Sequence, residues 1–313
     1  MSISKEIERL QQAKKDIGDA IVRKGGSVSG TIDTYAKSVM ALGDVSFRTA
    51  IDIVNKSDAK NVDITMISPK NETSLNYLFE KNTNLIHINA SNWDTTNITS
   101  LNGAFAQIPN LESVDLSEWN VSNVTTFRAM FDGDKKLKNV DISKFDTNKS
   151  TVFDWCFSGC NSLVELDVSN LKTQNCSLFH SMFSSCHSLT QLDISNFDMS
   201  AATDCSSMFG YCVSITSLDI SNFDLSKAKN VDYMFKRTVK LTTLKTTNLK
   251  LPNIDMGRIG FNESPLTVDN IVGLLNALPQ SDKGYSFQIG SDNIAKLSDE
   301  QKAIATDKGW TLI

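Results

Sequence analysis

The sequence predicts an α/β repeat protein, an elongated solenoid with a helical module at its N-terminus and an α/β cap at its C-terminus. Two observations lead to this prediction. Seven phenylalanines from Phe79 to Phe235 are spaced 26 residues apart without a slip, and the apolar spacing inside each repeat changes from three to two. A fixed period of this length is typical of stacked repeats, in which neighbouring rungs supply each other's hydrophobic core.

The first element, residues 1–44, does not share this period. Its apolar residues follow alternating steps of four and three, which predicts an amphipathic helix near the minimum length for a coiled coil. The stripe consists of Ile3, Ile7, Leu10, Ile17 and Ile21, and Lys14 interrupts it. A second helical pattern runs from Ile32 to Leu42. We expect either a helical hairpin that caps the first rung or a module for attachment or self-association.

The second element, residues 45–264, contains the repeats. The segment from Leu189 to Ser195 predicts a short strand, because residues two apart share one face of a strand. We expect such strands near residues 62–64 and 87–90, and then every 26 residues to about 243–246. Apolar residues three or four positions before each Met-Phe pair predict one helical or 3₁₀ turn in the rest of the rung, which we term the arc.

These repeats resemble the BspA-type leucine-rich repeats, in their 26-residue form. The matching positions in one repeat are Met182, Phe183, Cys186, Ser188, Leu189, Leu192, Asp193, Ile194, Ser195, Phe197 and Asp198. The resemblance covers about residues 62 to 249 and implies a leucine-rich-repeat-like solenoid. At its two edges the motif is degenerate, since Val62 to Ile64 resemble only the strand and Lys245 replaces the aspartate.

The third element, residues 265–313, is predicted to cap the last rung. It contains a helix near Val268 to Leu278, a strand from Ser286 to Ile289, and a helix that begins at Ser298. Ser298 and Gln301 have the spacing of a capping box. The end of the chain, from Trp310 to Ile313, is predicted to form a last strand. Such a cap would protect a sheet edge that otherwise invites pairing with another chain.

Composition limits the classes of function. The chain has 313 residues, of which 40% are apolar and 21% charged, and no apolar run is long enough to cross a membrane. Its net charge of −5, without long runs of one sign, argues against nucleic acid as a partner. The N-terminus lacks the apolar run of a secretory signal, so we expect no export by a signal of its own.

The two ends also resemble segments of bacteriophage virion and tail proteins. At the N-terminus the resemblance rests on the isoleucine-rich pattern of residues 1–44. The run from Phe287 to Leu312 resembles endings that follow such repeats in both phage and gut-bacterial proteins. The resemblance implies a non-enzymatic virion component, such as a tail, fibre or decoration protein, made in the bacterial cytoplasm. The N-terminal module would bind other virion proteins, and the repeats would present a surface to a host receptor. The alternative is an adhesin-like repeat protein of the bacterial cell surface.

The candidate binding residues lie on the outward side of the predicted strands. An aspartate recurs there in five successive rungs, beside a second outward position that varies. The residues are Asp115, Asp141, Glu165, Asp167, Gln191, Asp193 and Asp219. Carboxylates one rung apart repel each other, so we expect either local hydrogen bonds from the serines two residues later or a bound cation or basic ligand.

The sequence predicts no catalytic site, cofactor or metal. The six cysteines occupy repeat positions and are interpreted as buried free thiols. The alternative is a disulfide between two consecutive members of the set Cys160, Cys186 and Cys212, which stand one rung apart. The three histidines have no serine, cysteine or paired carboxylate at a spacing typical of catalysis. There is no CxxC pair and no glycine-rich phosphate loop.

Overall fold

The computed structural model describes residues 46–65 and 67–313. The predicted N-terminal module, residues 1–44, lies outside the described residues, and so does its stripe of Ile3, Ile7, Leu10, Ile17 and Ile21. From Ser46 onward the chain forms a helix, a stack of rungs and a terminal α/β unit.

A helix that the sequence analysis did not predict precedes the first rung. Helix α1 spans Phe47–Lys56, and the Ser46 side chain caps its N-terminus. Its buried residues are Ala50, Ile51 and Val54, whose spacing places them on one face. The Phe47 ring packs edge-on against Trp93 at 5.0 Å between ring centroids. Residues 47–56, predicted as part of the repeat region, therefore cover the N-terminal end of the solenoid.

Short parallel strands form one side of the solenoid, and each pairs with the strand 26 residues later. The strands are β1 (Asn61–Asp63), β2 (His87–Asn89), β3 (Ser113–Asp115), β4 (Asn139–Val140), β5 (Ser217–Asp219) and β6 (Thr243–Lys245). Val62 lies beside Ile88, and Ile88 lies beside Val114. These middle residues are buried and their neighbours along the strand are at least partly exposed. The predicted alternation is therefore confirmed where the strands form.

The prediction of a strand in every repeat is wrong in the middle of the solenoid. Residues 165–167 and 191–193 are not paired as strands, so the sheet divides into β1–β4 and β5–β6. Leu166 and Leu192 remain buried, so the hydrophobic core continues through the gap.

Charge gives a physical reason for this interruption. Asp141, Asp167 and Asp193 follow one another across the gap, and like charges one rung apart oppose close approach of the strands. Where pairing resumes, Asp219 on β5 forms an ion pair with Lys245 on β6 at 3.3 Å.

The arc of each rung consists of tight turns, so the predicted helical or 3₁₀ turn is wrong. Two residues per rung, four positions apart, have left-handed backbone angles, such as Trp155 (φ 54°) and Gly159 (φ 72°). The Trp155 N–H donates to His180 O in the next rung, whereas the Cys156 N–H donates within its own rung. An α-helix would direct all these N–H groups along its own axis. Here alternate N–H groups join neighbouring rungs instead.

The arcs also form a ladder that continues where the strands separate. Parallel bridges connect Ser74, Ser100, Thr126, Val152, Leu178, Asp204 and Asn230 in succession. The spacing of the rungs through the gap is therefore maintained by the arcs.

A stack of phenylalanine rings fills the core, as the sequence predicts. Rings 26 residues apart from Phe79 to Phe261 lie between 4.4 and 6.0 Å apart, and no ring plane is tilted by more than 21° from the next. A second stack joins Phe127, Phe153 and Phe179. Each rung thus buries its aromatic residues against the neighbouring rungs, and none has a complete core alone.

The C-terminal unit contains the predicted helices and strands and two short additions. Its elements are a 3₁₀ helix (Phe261–Glu263), α2 (Val268–Ala277), β7 (Ser286–Phe287), α3 (Ser291–Ile294), α4 (Asp299–Thr306) and β8 (Thr311–Leu312). The 3₁₀ helix and α3 were not predicted. The capping box of α4 is confirmed, with Ser298 and Gln301 bonded reciprocally.

Helix α2 covers the edge of the last strand of the solenoid. The Asn270 side chain donates from Nδ2 to Leu244 O at 2.9 Å and accepts the Leu244 N–H at 3.0 Å. The Asn270 amide therefore forms hydrogen bonds with both the N–H and the carbonyl of Leu244 at the edge of β6. These two backbone groups would otherwise be free to pair with a further strand.

Candidate binding face

The strand face is the surface formed by the outward side chains of β1 to β6 and of the two unpaired segments between β4 and β5. Two side chains per rung point outward, one on each side of the buried aliphatic residue. Two shallow depressions follow this face, one of about 390 Å³ over β1 to β3 and one of about 850 Å³ from β3 to residues 191–193.

Six of the seven predicted binding residues line the larger depression. They are Asp115, Asp141, Glu165, Asp167, Gln191 and Asp193. The seventh, Asp219, lies beyond it, where Lys245 pairs with its Oδ2. The structure thus brings six of the predicted residues together in one depression. Asp219, whose charge is neutralised by Lys245, lies apart from them.

One carboxylate oxygen of each of these aspartates accepts hydrogen bonds from the serine two residues later in its own rung. Asp141 Oδ1 accepts the Ser143 N–H at 2.9 Å and the Ser143 hydroxyl at 2.7 Å. Asp167 and Asp193 bind the serine two residues later in the same way. These contacts confirm the serines as local hydrogen-bond partners. The turn uses Oδ1 and leaves Oδ2 outside it.

The same hydrogen bonds keep the aspartates ionised. The side chain and the backbone N–H of Ser143 lower the pKa of Asp141, and the equivalent serines lower the pKa of Asp167 and the pKa of Asp193. The neighbouring charge of Asp141 opposes this lowering at Asp167. All three side chains are exposed, so a column of negative charge faces solvent at neutral pH.

The smaller depression was not identified from the sequence. Its outward residues include Asn61, Asp63, His87 and Asn89, and it shares Asp115 with the larger one. His87 Nδ1 lies 2.8 Å from Ser113 Oγ. The sequence feature that could have identified these residues is their outward position in the first predicted strands, where Asn89 stands in place of the recurring aspartate. The strand face is therefore less acidic at this end.

A chain of hydrogen bonds on the arcs contains residue types common in catalysis. Ser181 Oγ lies 3.3 Å from His180 Nε2, His180 Nδ1 lies 2.6 Å from Ser206 Oγ, and Ser206 donates to Asp204. Ser181 is only 7% exposed, and its N–H is bonded to Ser206 O. A nucleophile needs access to substrate, and burial denies this access to Ser181.

The six cysteines lie in the core as free thiols. Cys160, Cys186 and Cys212 each donate from Sγ to a phenylalanine carbonyl oxygen 29 residues earlier, at 3.1 to 3.3 Å. In the part of the chain that the structure describes, no three His, Cys, Asp or Glu side chains are grouped so as to hold a metal ion.

Comparison with known sequences identifies the family of the repeats. The sequence profile described as "Mycoplasma protein of unknown function, DUF285" matches residues 73–189 and 139–249. Together these matches cover residues 73–249, more than half of the chain. The chain belongs to the DUF285 family. The matched region is the stack of rungs, so the prediction of a leucine-rich-repeat-like solenoid is confirmed for this DUF285 protein.

Two solved structures resemble the DUF285 chain weakly. A TLR13–ssRNA13 complex shares 16% identity over 74% of this chain, with a TM-score of 0.31, and the match spans 40% of the TLR13 chain. The functional domain of InlJ from Listeria monocytogenes, described as including a cysteine ladder, shares 15% identity over 74% of this chain and 67% of that one, with a TM-score of 0.20. TM-scores this low support no functional argument.

No curated protein matches the sequence of this DUF285 chain. Neither the family description nor the two structures names a bacteriophage protein, so the resemblance of the ends to virion proteins has no support from these matches. Among residues 46–65 and 67–313, the helices are all too short or too polar to span a bilayer.

Proposed function

We propose that this DUF285 protein is a non-enzymatic surface-binding protein that contacts a partner through the acidic part of its strand face. The observation that carries the proposal is the arrangement of Asp141, Asp167 and Asp193. They lie one rung apart, line one depression and are exposed. The ion pairs of the described residues include Asp219 but none of these three.

The chemistry of this face favours a partner with basic groups. Charged groups on a rigid surface increase the rate of association and the selectivity for a complementary partner. Glu165 adds a carboxylate to the same depression, and Gln191 adds an amide. The variable outward position thus distinguishes one rung from the next, which is what recognition of a particular partner requires.

A binding role is also favoured over catalysis by the groups that are present. The hydrogen-bonded serine of the arcs is buried, and hydrogen bonds from the following serines lower the pKa of Asp141, of Asp167 and of Asp193. A general acid at neutral pH needs a raised pKa. No cofactor is part of this proposal.

We place this protein on the bacterial cell surface, as an adhesin-like protein. The family is described from Mycoplasma, which are bacteria, and this description favours a bacterial protein over a virion component. The virion interpretation depends mainly on the pattern of residues 1–44. In that case the N-terminal module would bind other virion proteins, and the strand face would bind a host receptor or another subunit.

Retention on immobilised poly-L-lysine tests the strand face. The triple variant Asp141→Asn, Asp167→Asn, Asp193→Asn should elute at clearly lower salt than the natural protein, because Asn keeps the turn and removes the charge. A matched control is Asp94→Asn, Asp146→Asn, Asp198→Asn. These aspartates are exposed and accept the same N–H two residues later, but they lie outside the depression. Equal losses in both variants would refute a specific role for the strand face.

Localisation requires a separate measurement. Antibodies against the solenoid should label intact, unpermeabilised cells of the source bacterium. Labelling only after permeabilisation would refute the cell-surface proposal, and recovery of the protein in purified phage particles would favour the virion interpretation.

A further inference from the structure

Charge is distributed unevenly along the solenoid. Residues 139–221, which include Asp141, Asp167 and Asp193 of the strand face, contain nine acidic side chains and only three basic ones. Residues 222–258, which follow in the next rungs, contain eight basic side chains and three acidic ones. The two segments are consecutive parts of one stack of rungs. The solenoid is therefore acidic in its middle and basic near its C-terminal end.

Basic and aromatic side chains form one patch on the arcs of the basic segment. We call it the basic patch, and it consists of Tyr211, Tyr233, Lys236, Arg237 and Arg258. The backbone brings these residues together, because the Tyr211 N–H donates to Lys236 O and the Tyr233 N–H donates to Arg258 O, each at 2.6 Å. The basic patch thus extends over three rungs, and it lies on a different side of each rung from the strand face.

The Lys236 ammonium group lies over both tyrosine rings of the patch. Nζ is 4.8 Å from the centre of the Tyr233 ring and 5.7 Å from the centre of the Tyr211 ring. The two tyrosines are 39% and 40% exposed, respectively. The ion pairs that the described residues form do not include Lys236. Since a cation–π contact orients an ammonium group without neutralising it, Lys236 presents a positive charge to a partner.

The two guanidinium groups of the patch are also accessible. The side chains of Arg237 and Arg258 are 54% and 69% exposed. Arg237 pairs with Glu263 at 3.6 Å and Arg258 pairs with Asp232 at 3.8 Å, but ion pairs this exposed contribute little energy. Tyrosine and arginine are enriched at protein interfaces. The patch therefore has the composition of a surface that binds an acidic protein.

The basic patch matches the acidic part of the strand face in charge and in length. Asp141, Asp167 and Asp193 are exposed, line one depression and also extend over three rungs. Since rungs lie about 4.8 Å apart, each surface is about 10 Å long. One chain cannot join its own two surfaces, because strands and arcs occupy different sides of one hydrogen-bonded stack. A contact between them requires two copies.

We propose that the basic patch of one copy of this protein binds the acidic strand face of a second copy. The inference rests on the proposed function of the strand face and names its partner. The contact joins two different surfaces, so a pair of copies still has one free patch and one free strand face. Such a contact continues from copy to copy into a chain, unless the rotation between copies closes it into a ring.

Sedimentation velocity of the full chain tests the inference. In about 50 mM salt the natural protein should form dimers and larger species as its concentration rises. In about 0.5 M salt it should be monomeric, because salt screens the contact. The patch variant Lys236→Glu, Arg237→Glu should weaken self-association about tenfold in low salt. Its fold should be intact, since Glu80 and Glu263 occupy the equivalent positions of other rungs.

The matched control is Lys135→Glu, Lys136→Glu. These two lysines are exposed, are consecutive in the chain like the two patch residues, and lie on an earlier rung. The control changes the net charge by the same amount as the patch variant. It should self-associate like the natural protein.

A mixture of two variants tests both surfaces together. The face variant Asp141→Asn, Asp167→Asn, Asp193→Asn keeps the basic patch, and the patch variant keeps the strand face. Each variant alone should be monomeric in low salt. The mixture should form dimers and nothing larger, because only one productive contact remains between the two variants.

Several results would overturn the inference. They are a natural protein that stays monomeric in low salt, a mixture that stays monomeric, equal loss in the control, and self-association that persists in both variants. The last result would assign self-association to another surface. A monomeric protein that poly-L-lysine still retains through its strand face would overturn this inference alone, because the strand face would then bind a different basic partner.

Discussion

At the scale of single residues, Asp134 places a carboxyl group in the core. It is fully buried, and its Oδ1 accepts the Ile108 N–H at 2.7 Å. Its Oδ2 has no hydrogen-bond partner. Burial raises the pKa of Asp134 well above its ordinary value, and the nearby charge of Asp132 adds to this effect. The folded protein therefore favours the protonated form of this side chain.

This raised pKa predicts that stability depends on pH. The contribution of Asp134 is fully present below the unfolded-state pKa of about 3.9 and is lost as pH rises through the higher folded-state pKa. Each unit of difference corresponds to about 1.4 kcal/mol. Asp134→Asn should therefore become more stable relative to the natural protein between pH 4 and pH 8, as measured by urea unfolding. The exposed Asp146→Asn is the control, and a parallel pH profile for both variants would contradict the prediction.

The six thiols should be unreactive in the folded protein. Burial raises the pKa of Cys176 and the pKa of Cys212 to about 12 each, and it raises the pKa of the other four thiols as well. Only the thiolate attacks a disulfide reagent. Titration with such a reagent at pH 8 should detect almost no thiol in the native protein and six after denaturation. Four or fewer after denaturation would indicate a disulfide.

At the scale of elements, the aromatic stack predicts a large effect of core truncation. Phe157→Ala removes a buried ring that stacks on Phe131 at 5.5 Å and on Phe183 at 6.0 Å. Truncation of a core aromatic should lower the free energy of unfolding by about 3 to 5 kcal/mol. Val164→Ala, at a residue 54% exposed nearby, should change it by less than about 0.5 kcal/mol. Similar values for the two variants would contradict the burial of the stack.

The strands and the arcs contribute differently to this stack. The strand ladder stops at β4 and resumes at β5, while the arc ladder continues. Left-handed positions such as Trp155 and Gly159 let alternate N–H groups point toward the next rung. The arcs are therefore the continuous scaffold. Strand pairing, by contrast, is lost beside the aspartates between β4 and β5, and the core stays buried there.

At the scale of the whole molecule, both ends of the described solenoid are covered. Helix α1 packs on the first rungs through Phe47 and Trp93, and Asn270 bonds the edge of β6. Deletion of residues 1–44 should therefore leave a folded solenoid, with Tm within about 4 °C of the natural protein by circular dichroism. A much larger decrease would show that this segment caps the first rung, and unchanged attachment to its assembly would contradict a docking role.

The sequence alone determined the repeat. The spacing of Phe79, Phe105 and their successors predicted the aromatic stack, because a solenoid places equivalent residues on top of one another. The outward aspartates followed from the two-residue alternation, and six of the seven predicted residues line one depression. The capping box at Ser298 and Gln301 was also visible, since it depends on residues three positions apart.

Tertiary structure alone decided the features that depend on contacts between rungs. Helix α1 was not predicted, because its ten residues do not follow the repeat and it is stabilised by packing on Trp93. The loss of strand pairing at residues 165–167, and the neutralisation of Asp219 by Lys245, depend on which charges meet across a rung. The arc was predicted as helical because turns and helices share the same apolar spacing. Only the direction of the backbone N–H groups, which is set by the next rung, distinguishes the two.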